Sequence, residues 1–197
     1  MTHTTVAAAE LRLSEAELAS RLGCPVGELP LEIYKCIDEL RELSEPSFSA
    51  VRVKVISCPD GVLLGGRAFS SKALKKVLCG CGEALVLCAT LGFGAERLLR
   101  KHSATSPTAH FLLDCAADAM VEALCDAAEG RVLGDAAHTA RFSPGYADLP
   151  LSHVRDILDM TMGDRLLGIS LNESFMATPS KTVTAIIGIK NEEDYNK

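Results

Sequence analysis

Two neighbouring stretches decide the fold of this chain: EALVLCAT at residues 83–90 and PTAHFLLDCAADAMVEALCDAAEG at residues 107–130. The first is a nearly continuous apolar run of strand length, typical of a β-strand that is covered on both faces. The second is apolar on almost every side, which predicts a long helix buried in the core. We expect this helix to run from Pro107 to Glu129 and to be closed by Gly130.

The rest of the chain mixes further strands and helices around this pair. Predicted strands cover residues 51–55, 62–64, 168–175 and 182–189, and the last two flank a turn at Pro179-Ser180. Predicted helices cover residues 70–79, 95–101 and 151–162. Because no regular βαβ period appears, we predict an α+β fold in which a mixed or antiparallel sheet packs with helices.

The first 46 residues read as an N-terminal helical arm. Apolar residues recur at helical spacing through residues 10–45, with an interruption at Gly23-Cys24-Pro25. The piece SEAELASRLGCP resembles half of a helix-turn-helix, but the acidic segment after it would repel DNA phosphates. We therefore predict a packing arm at 1–46 and a second domain at 47–197.

The charge and the hydropathy pattern exclude several classes of function. The net charge is −6, which argues against nucleic acid as the main ligand. No apolar run reaches the roughly 18 residues of a membrane span. The amino terminus also lacks a basic region followed by an apolar core, so it is not a secretory signal. We expect a cytoplasmic protein that binds neither nucleic acid nor membrane.

Residue patterns of the common catalytic and metal sites are missing. The eight cysteines form no CxxC pair, and the spacing of Cys79 and Cys81 is unlike that of a zinc site. The five histidines are scattered, and no Ser-His-Asp, HExxH or phosphate-loop signature occurs. We predict no catalytic residue and no metal ligand.

The buried helix carries one line of acidic residues. Asp114, Asp118, Glu122 and Asp126 stand four residues apart and therefore share one face. Like charges at this spacing destabilise a helix by roughly 0.2–0.5 kcal/mol per pair. Two interpretations stay open: the line is the one solvent-facing edge, or part of it rims a cleft that binds a cation such as an ammonium or a sulfonium.

The loop RFSPGY at residues 141–146 has the composition of a ligand site. Pro144 and Gly145 suit the two central positions of a type II turn, which exposes backbone groups. Arg141 can grip a carboxylate through two nitrogens, and Tyr146 offers an aromatic face to a cation. Together these groups suit an amino acid that bears a sulfonium, although an ordinary surface turn would show the same residues.

The loop and the segment after it resemble a known family. RFSPGY, followed by GISLNESFMATPSKTVTAIIGI at 168–189, is similar to the two signature stretches of the activation domain of cobalamin-dependent methionine synthase. ALVLCATLG and DAMVEALCD also look like that family, so the resemblance covers roughly residues 83–189. It implies that the Arg-x-x-x-Gly-Tyr loop lies on an S-adenosylmethionine site and that the segment with Glu173, Ser174, Phe175 and Pro179 is a core strand.

The resemblance also implies roles for single residues. Arg141 would hold the carboxylate of the methionine moiety, and Glu122 would supply negative charge near the ammonium or sulfonium. Tyr146 would lie beside the sulfonium, facing the corrin. Backbone groups toward the adenosine or amino end would come from Pro144, Gly145 and Ala147. For Glu173 a binding role and a purely structural role stay equally open.

The implied function is that of an activation subunit in methionine biosynthesis. S-Adenosylmethionine would methylate a cobalamin carried by a methionine synthase subunit or another corrinoid protein, with a flavodoxin- or ferredoxin-type electron donor. The tail at 190–197 has no clear counterpart of the tyrosines that contact the ligand in the large enzymes, which favours an alternative. In that alternative the chain is a docking protein for a corrinoid methyltransferase and has lost S-adenosylmethionine binding. A small-molecule methyltransferase is disfavoured because no Rossmann glycine motif occurs.

Overall fold

The computed structural model describes residues 1–190; residues 191–197, the part of the tail compared with the late tyrosines of the large enzymes, lie outside the described residues. The strands are β1 Thr2–Thr5, β2 Ser47–Cys58, β3 Gly61–Leu64, β4 Arg67–Phe69, β5 Cys81–Thr90, β6 Ser170–Leu171, β7 Ala177–Thr178 and β8 Thr182–Lys190. The helices are α1 Glu15–Leu22, α2 Leu31–Leu43, α3 Lys72–Val77, α4 Gly92–Thr105, α5 Pro107–Leu133, α6 His153–Thr161 and α7 Gly163–Leu166.

A six-stranded antiparallel sheet forms the centre of the molecule. The strand order is β4-β3-β2-β5-β8, and every neighbouring pair is antiparallel. The 12-residue β2 pairs with β5 along one edge, while its other edge is shared by β1 and β3. Helices pack on the sheet, which confirms the predicted α+β class with an N-terminal helical arm.

β5 lies in the middle of this sheet and is covered on both faces. Residues 84–89 have no exposed surface, as the apolar run predicts. Leu85 and Leu87 join a core with α1, α2, α4 and α5. Ala84 and Val86 point to the opposite layer, which includes Leu74 of α3 and Ile157 of α6. Alternation along one strand therefore divides the interior into two apolar layers.

α5 begins at Pro107 as predicted but ends later. Ser106 caps its first turn by accepting a hydrogen bond from the Ala109 N–H at 3.3 Å. Gly130, predicted as the stop, lies inside the helix, which continues to Leu133. The positive φ that ends many helices belongs instead to Gly134, at 57°. Within residues 1–190, neither this helix nor another joins sufficient length to sufficient apolarity for a bilayer crossing.

The N-terminal segment packs against α5 through α1 and α2. Leu18, Ile33 and Leu40 are buried in the same apolar layer as Met120. The segment also contributes β1 to the sheet, a strand that the helical pattern did not predict. The division of the chain into domains at residue 46 stays a prediction.

The predicted strand at residues 168–175 is wrong for most of its length. Only Ser170–Leu171 is extended, and it pairs with β7 in a separate two-stranded sheet. The side-chain oxygen of Asn172 accepts hydrogen bonds from the N–H groups of Ser174 and Met176, which bends the backbone. Phe175 then has a φ of 62°. The Glu-Ser-Phe stretch is therefore a turn in this chain, whereas β8 matches the strand predicted at 182–189.

Candidate functional site

The segment before the RFSPGY loop runs along the outer edge of β8. The Thr139 N–H donates to the Gly188 carbonyl at 2.9 Å, and Phe142 and Ile186 exchange two hydrogen bonds of 3.0 and 2.9 Å. Extended backbone sends successive side chains to opposite faces. Phe142 is consequently buried in the layer of α3 and α6, and Arg141 reaches the acidic residues of α5.

The loop itself contains the predicted type II turn. The Tyr146 N–H donates to the Ser143 carbonyl at 3.2 Å, and Gly145 between them has a φ of 87°. The Gly145 N–H is also engaged, at 2.8 Å from the Leu149 carbonyl. In the part of the chain that the structure describes, the carbonyls of Pro144 and Gly145 accept no hydrogen bond. These two oxygens are the backbone acceptors that the turn leaves unpaired.

Asp148 fixes the far end of this loop, a role that the sequence did not predict. Its carboxylate accepts hydrogen bonds from the Ser71 hydroxyl and from the N–H groups of Lys72 and Ala73, the latter two at 2.8 and 3.2 Å. The hydrogen bond from Ser71, together with these backbone donors, lowers the pKa of Asp148. The loop is thereby attached to the first turn of α3.

Arg141 is surrounded by three carboxylates of α5. Its Nη1 donates to Asp126 at 2.8 Å and to Glu129 at 2.5 Å, and its Nη2 donates to Glu122 at 2.9 Å. Burial alone would lower the pKa of Arg141, but the hydrogen bond to Asp126 and the nearby negative charges raise it above its ordinary value. The guanidinium is permanently charged, and its two Nη groups are already occupied.

The other half of the acidic line is neutralised by two further cations. Lys181 Nζ lies 2.7 Å from Asp114 and 2.5 Å from Asp118, and its side chain is only 11% exposed. Arg21 of α1 reaches Asp118 at 3.4 Å. Neither interpretation of the acidic line alone describes the structure. The acidic residues pair with cations of the same chain, which come from α1, from the turn before β8 and from the RFSPGY loop.

Two adjoining cavities lie between α5, the RFSPGY loop and the start of β8. The first has a volume of about 330 Å³ and the second about 310 Å³. They share Glu122, Ser180, Thr182 and Val183 and therefore lie side by side; we call the two together the groove. Cavities of this size suit small ligands and cofactors.

The two arms of the groove differ in chemistry. The apolar arm is lined by Pro144, Leu151, Val154, Phe175, Met176 and Ala177, among others. The charged arm is lined by Arg21, Asp114, Asp118 and Lys181. Glu122 stands where the arms meet, with its side chain 34% exposed. A ligand with an apolar part and a charged part therefore has a matching surface for each.

The sequence-derived site residues are only partly brought together. Glu122 and Pro144 line the groove. Arg141 does not line it and is connected to it only through its ion pair with Glu122. Gly145 backs onto Leu151, since an added Cβ would approach that side chain to 3.2 Å.

Three further site residues lie outside the groove. Tyr146 is 68% exposed and contacts Phe142 edge-on at 5.6 Å. Ala147, with a φ of 51°, is exposed on the outer side of the loop. Glu173 is exposed in the turn between β6 and β7 and does not line the groove.

Comparison with known proteins identifies a solved structure that shares this architecture. No model of a known protein family matches the chain, and no curated protein matches its sequence. A solved structure, the MetH reactivation domain bound to AdoHcy, superposes with a TM-score of 0.76 at 12% identity. The match covers 97% of this chain and 78% of that one. The chain has the fold of that domain.

Several groove residues were not predicted as site residues. Phe175 and Met176 line the apolar arm, and the Arg155 guanidinium lies 5.6 Å from the centre of the Phe175 ring. Ser180 is held from outside by Glu96, which accepts hydrogen bonds from its N–H at 2.8 Å and its hydroxyl at 2.6 Å. Burial would raise the pKa of Glu96, but the Ser180 and Arg100 contacts outweigh it and lower that pKa. The Asn172 turn that presents Phe175 leaves no periodic signal in the sequence.

The cysteines lie apart from the groove chemistry. Burial raises the pKa of Cys88 to about 12 and also raises that of Cys125, so both thiols stay protonated near neutral pH. Among residues 1–190, no group of three or more His, Cys, Asp and Glu side chains is arranged to hold a metal ion. Cys88 within β5 and Cys125 within α5 act as small apolar residues of the core.

Proposed function

We propose that this chain binds S-adenosylmethionine in the groove and acts as an activation subunit for a cobalamin-dependent methyltransferase in methionine synthesis. One observation carries the proposal: the groove joins an apolar arm to an anchored carboxylate, Glu122, beside the Arg-x-x-x-Gly-Tyr loop. The fold shared with the MetH reactivation domain, which was solved with AdoHcy, supports the same ligand class. The groove belongs to the domain predicted at 47–197, with Arg21 contributed by the N-terminal arm.

The chemistry of the ligand suits the two arms. The adenosine would lie in the apolar arm against Phe175, with the free carbonyls of Pro144 and Gly145 accepting its donors. The sulfonium and ammonium would lie toward Glu122, whose negative charge attracts both. Tyr146 and Ala147, on the outer side of the loop, would face the partner that carries the corrin. Glu173 would contribute to the rim of that surface rather than to the pocket.

The proposed reaction moves the methyl group of S-adenosylmethionine to the cobalt of a partner-bound cob(II)alamin. One electron from a flavodoxin- or ferredoxin-type donor enters with it, and the products are methylcobalamin and S-adenosylhomocysteine. Reduced cobalt is a strong nucleophile and the sulfonium a good electrophile, so the chain supplies no acid, base or nucleophile. Its residues hold the ligand and align the methyl group, which is catalysis by positioning.

A second candidate is a docking protein that no longer binds S-adenosylmethionine. One observation favours it: both Nη groups of Arg141 are taken by carboxylates of the same chain. In that case the groove would stay empty, and only the outer surface around Tyr146 would meet a corrinoid protein.

Calorimetric titration separates the two candidates. We expect S-adenosylmethionine and S-adenosylhomocysteine to bind the wild-type protein and to fail to bind Ala177→Trp, which fills the apolar arm. Ala68→Trp is the matched control, because Ala68 is exposed on β4 and does not line the groove. No binding by the wild type at millimolar ligand, or equal loss in both variants, would contradict the proposal.

Reconstitution with a corrinoid partner tests the second part of the proposal. With S-adenosylmethionine and a one-electron donor, the wild-type protein should convert partner-bound cob(II)alamin to methylcobalamin, followed by its absorption spectrum. Ala177→Trp should not support this conversion, and Ala68→Trp should. If the protein binds S-adenosylmethionine but supports conversion with no corrinoid partner tried, the proposed ligand site would stand and the proposed activation role would be contradicted.

A further inference from the structure

A third cavity lies in the N-terminal arm and shares no residue with the groove. It has a volume of about 220 Å³ and lies between α1, the connection that follows it and one side of α2. We call it the α1–α2 cleft. The residues of its floor are apolar and are buried or partly buried: Leu13, Leu18, Leu29 and Ile37.

α2 borders this cleft with a face that its packing on α5 leaves exposed. Tyr34, Asp38 and Arg41 line the cleft at helical spacing, and Leu31 extends the same face by one turn. Leu31 is 78% exposed and Tyr34 is 48% exposed. At 1.5 Å per residue, the face from Leu31 to Arg41 is about 15 Å long. An exposed apolar surface that extends beyond the cavity suits a segment of polypeptide better than a small ligand.

The N-terminal arm carries almost all of the net charge of the chain. Residues 1–46 contain nine Asp and Glu and four Lys and Arg, a net charge of −5, whereas the rest of the chain carries −1. Glu15 and Asp38 line the α1–α2 cleft, and in the described part of the chain neither forms a salt bridge. Arg41 is the only cation among the lining residues that the structure describes. A basic segment therefore meets unpaired carboxylates beside an apolar floor, while nucleic acid and anionic lipid are repelled.

We propose that the α1–α2 cleft is a docking site for a basic amphipathic helix of a partner protein. An apolar side chain of this helix enters the cleft above its floor, and further apolar side chains pack on Leu31 and Tyr34. Lysine or arginine side chains on the flank of the helix pair with Glu15 and Asp38. The site adds a protein partner to the chain and does not depend on what the groove binds.

The apolar contacts and the charges contribute differently to this docking. Glu15 and Asp38 are exposed, so their ion pairs contribute little affinity, but they accelerate association and disfavour acidic partners. Filling of the cavity and burial of Leu31 and Tyr34 supply most of the affinity. A peptide of suitable composition is therefore insufficient, because its apolar side chains have to share one face.

Fluorescence anisotropy with a labelled peptide tests the proposal on the full chain at physiological ionic strength. The probe is a peptide of leucine and lysine, about 14 residues or four helical turns long, whose leucines share one helical face. The comparison peptide has the same composition, with its leucines spread around the helix. We expect the amphipathic probe to bind about tenfold more tightly than the comparison peptide. No binding of the probe, or equal binding of both peptides, would overturn the proposal.

Three variants locate the binding of the probe. Tyr34→Ala should weaken it about tenfold through lost apolar contact, and Asp38→Lys should weaken it about fivefold. Asp164→Lys is the matched control, because it makes the same change of charge at an exposed position outside all three cavities. It should change the affinity less than about twofold, since remote charges are screened.

The outcomes of these variants separate docking from general attraction between charges. Tyr34 and Asp38 are both exposed, so we expect the variants to fold, which circular dichroism checks. Equal effects of Asp38→Lys and Asp164→Lys would show attraction to the net charge alone and would overturn the proposal. Unchanged binding of the probe to Tyr34→Ala would overturn it as well.

A second copy of the chain is the alternative occupant of the cleft. Sedimentation of the wild-type protein without peptide measures its state of association, and Leu31→Glu changes the exposed end of the α2 face. We expect the wild type and Leu31→Glu to have the same state of association. A wild-type dimer that Leu31→Glu dissociates would overturn the proposal and assign the surface to contact between copies.

Discussion

The two ends of the acidic line on α5 are built from the same charges but held in different ways. At one end Lys181 is 11% exposed and bridges Asp114 and Asp118, while its own carbonyl accepts from the Leu91 N–H at 3.0 Å. At the other end Arg141 stands on a loop, 24% exposed, with Glu122 open to the groove. The same helical spacing therefore produces a fixed clamp around the buried Lys181 at one end and a more open cluster around Arg141 at the other.

Removal of the fixed cation should have the largest effect on stability. Lys181→Ala leaves Asp114 and Asp118 facing each other without their central cation, although both are partly solvated. We expect a loss of about 2 kcal/mol in the free energy of unfolding, as for other cases in which one partner of a half-buried pair is removed. Urea denaturation measures it. A loss below the error of the method would show that this end is no more fixed than the other.

Removal of Arg141, the cation of the open end, should lower stability less than removal of Lys181 and should weaken ligand binding more. Arg141→Ala should lower the free energy of unfolding by about 1–2 kcal/mol, because Glu122 and Asp126 can be solvated once unpaired, whereas the more buried Glu129 loses its cation. The affinity for S-adenosylmethionine should fall roughly tenfold, since Glu122 loses the cation that holds it in place at the groove. Denaturation and calorimetry on the same preparation compare the two. A stability loss exceeding that of Lys181→Ala would reverse the comparison.

The fixed end should also respond to pH through Glu96. Its pKa is lowered in the folded protein, so the Glu96 contacts stabilise above the unfolded pKa of about 4.3 and are lost as the pH falls through the folded value. The melting temperature of Glu96→Gln should therefore lie below that of the wild type at pH 6, and the two should converge on acidification. Thermal scans from about pH 3 to about pH 7, on both sides of the unfolded pKa, measure the difference. A constant difference would mean that Glu96 acts by packing alone.

The smallest effect is expected at Asp126, the most exposed carboxylate of the open end. Asp126 is 72% exposed and shares the Nη1 of Arg141 with Glu129. Asp126→Asn should change the free energy of unfolding by less than about 0.5 kcal/mol, as exposed ion pairs usually do. The same denaturation assay applies. A loss comparable to that of Arg141→Ala would identify Asp126, rather than Glu129, as the anchor of the guanidinium.

Local patterns predicted much of this architecture. The apolar run of β5, the all-round apolar surface of α5 and the Pro-Gly turn are each set by neighbouring residues, and all three predictions were confirmed. The predictions that were wrong depend on a single backbone position. Gly130 lies inside α5 because the positive φ falls at Gly134, and the 168–175 strand is interrupted because Asn172 bends the chain.

Local sequence patterns could not predict the ion pairs of the site. The sequence singled out Arg141 and Glu122 separately, but their partnership joins residues 19 positions apart through the docking of a loop on β8. Lys181 and Arg21 carry no motif, and they reach the same helix from a turn and from α1. Which cation meets which carboxylate is decided by how the layers pack, so only the three-dimensional structure reveals it.

The segment that carries Arg141 has a second consequence, for solubility. By bonding to Gly188, Ile186 and Lys190, residues 137–142 cover the outer edge of β8, which would otherwise offer unpaired backbone groups to another molecule. Uncovered edges of this kind promote strand addition and aggregation. Substitutions that loosen this segment would expose the unpaired backbone groups of β8 and would also displace the loop beside the groove. The same short stretch of chain therefore holds the loop in place beside the groove and protects the edge of the sheet.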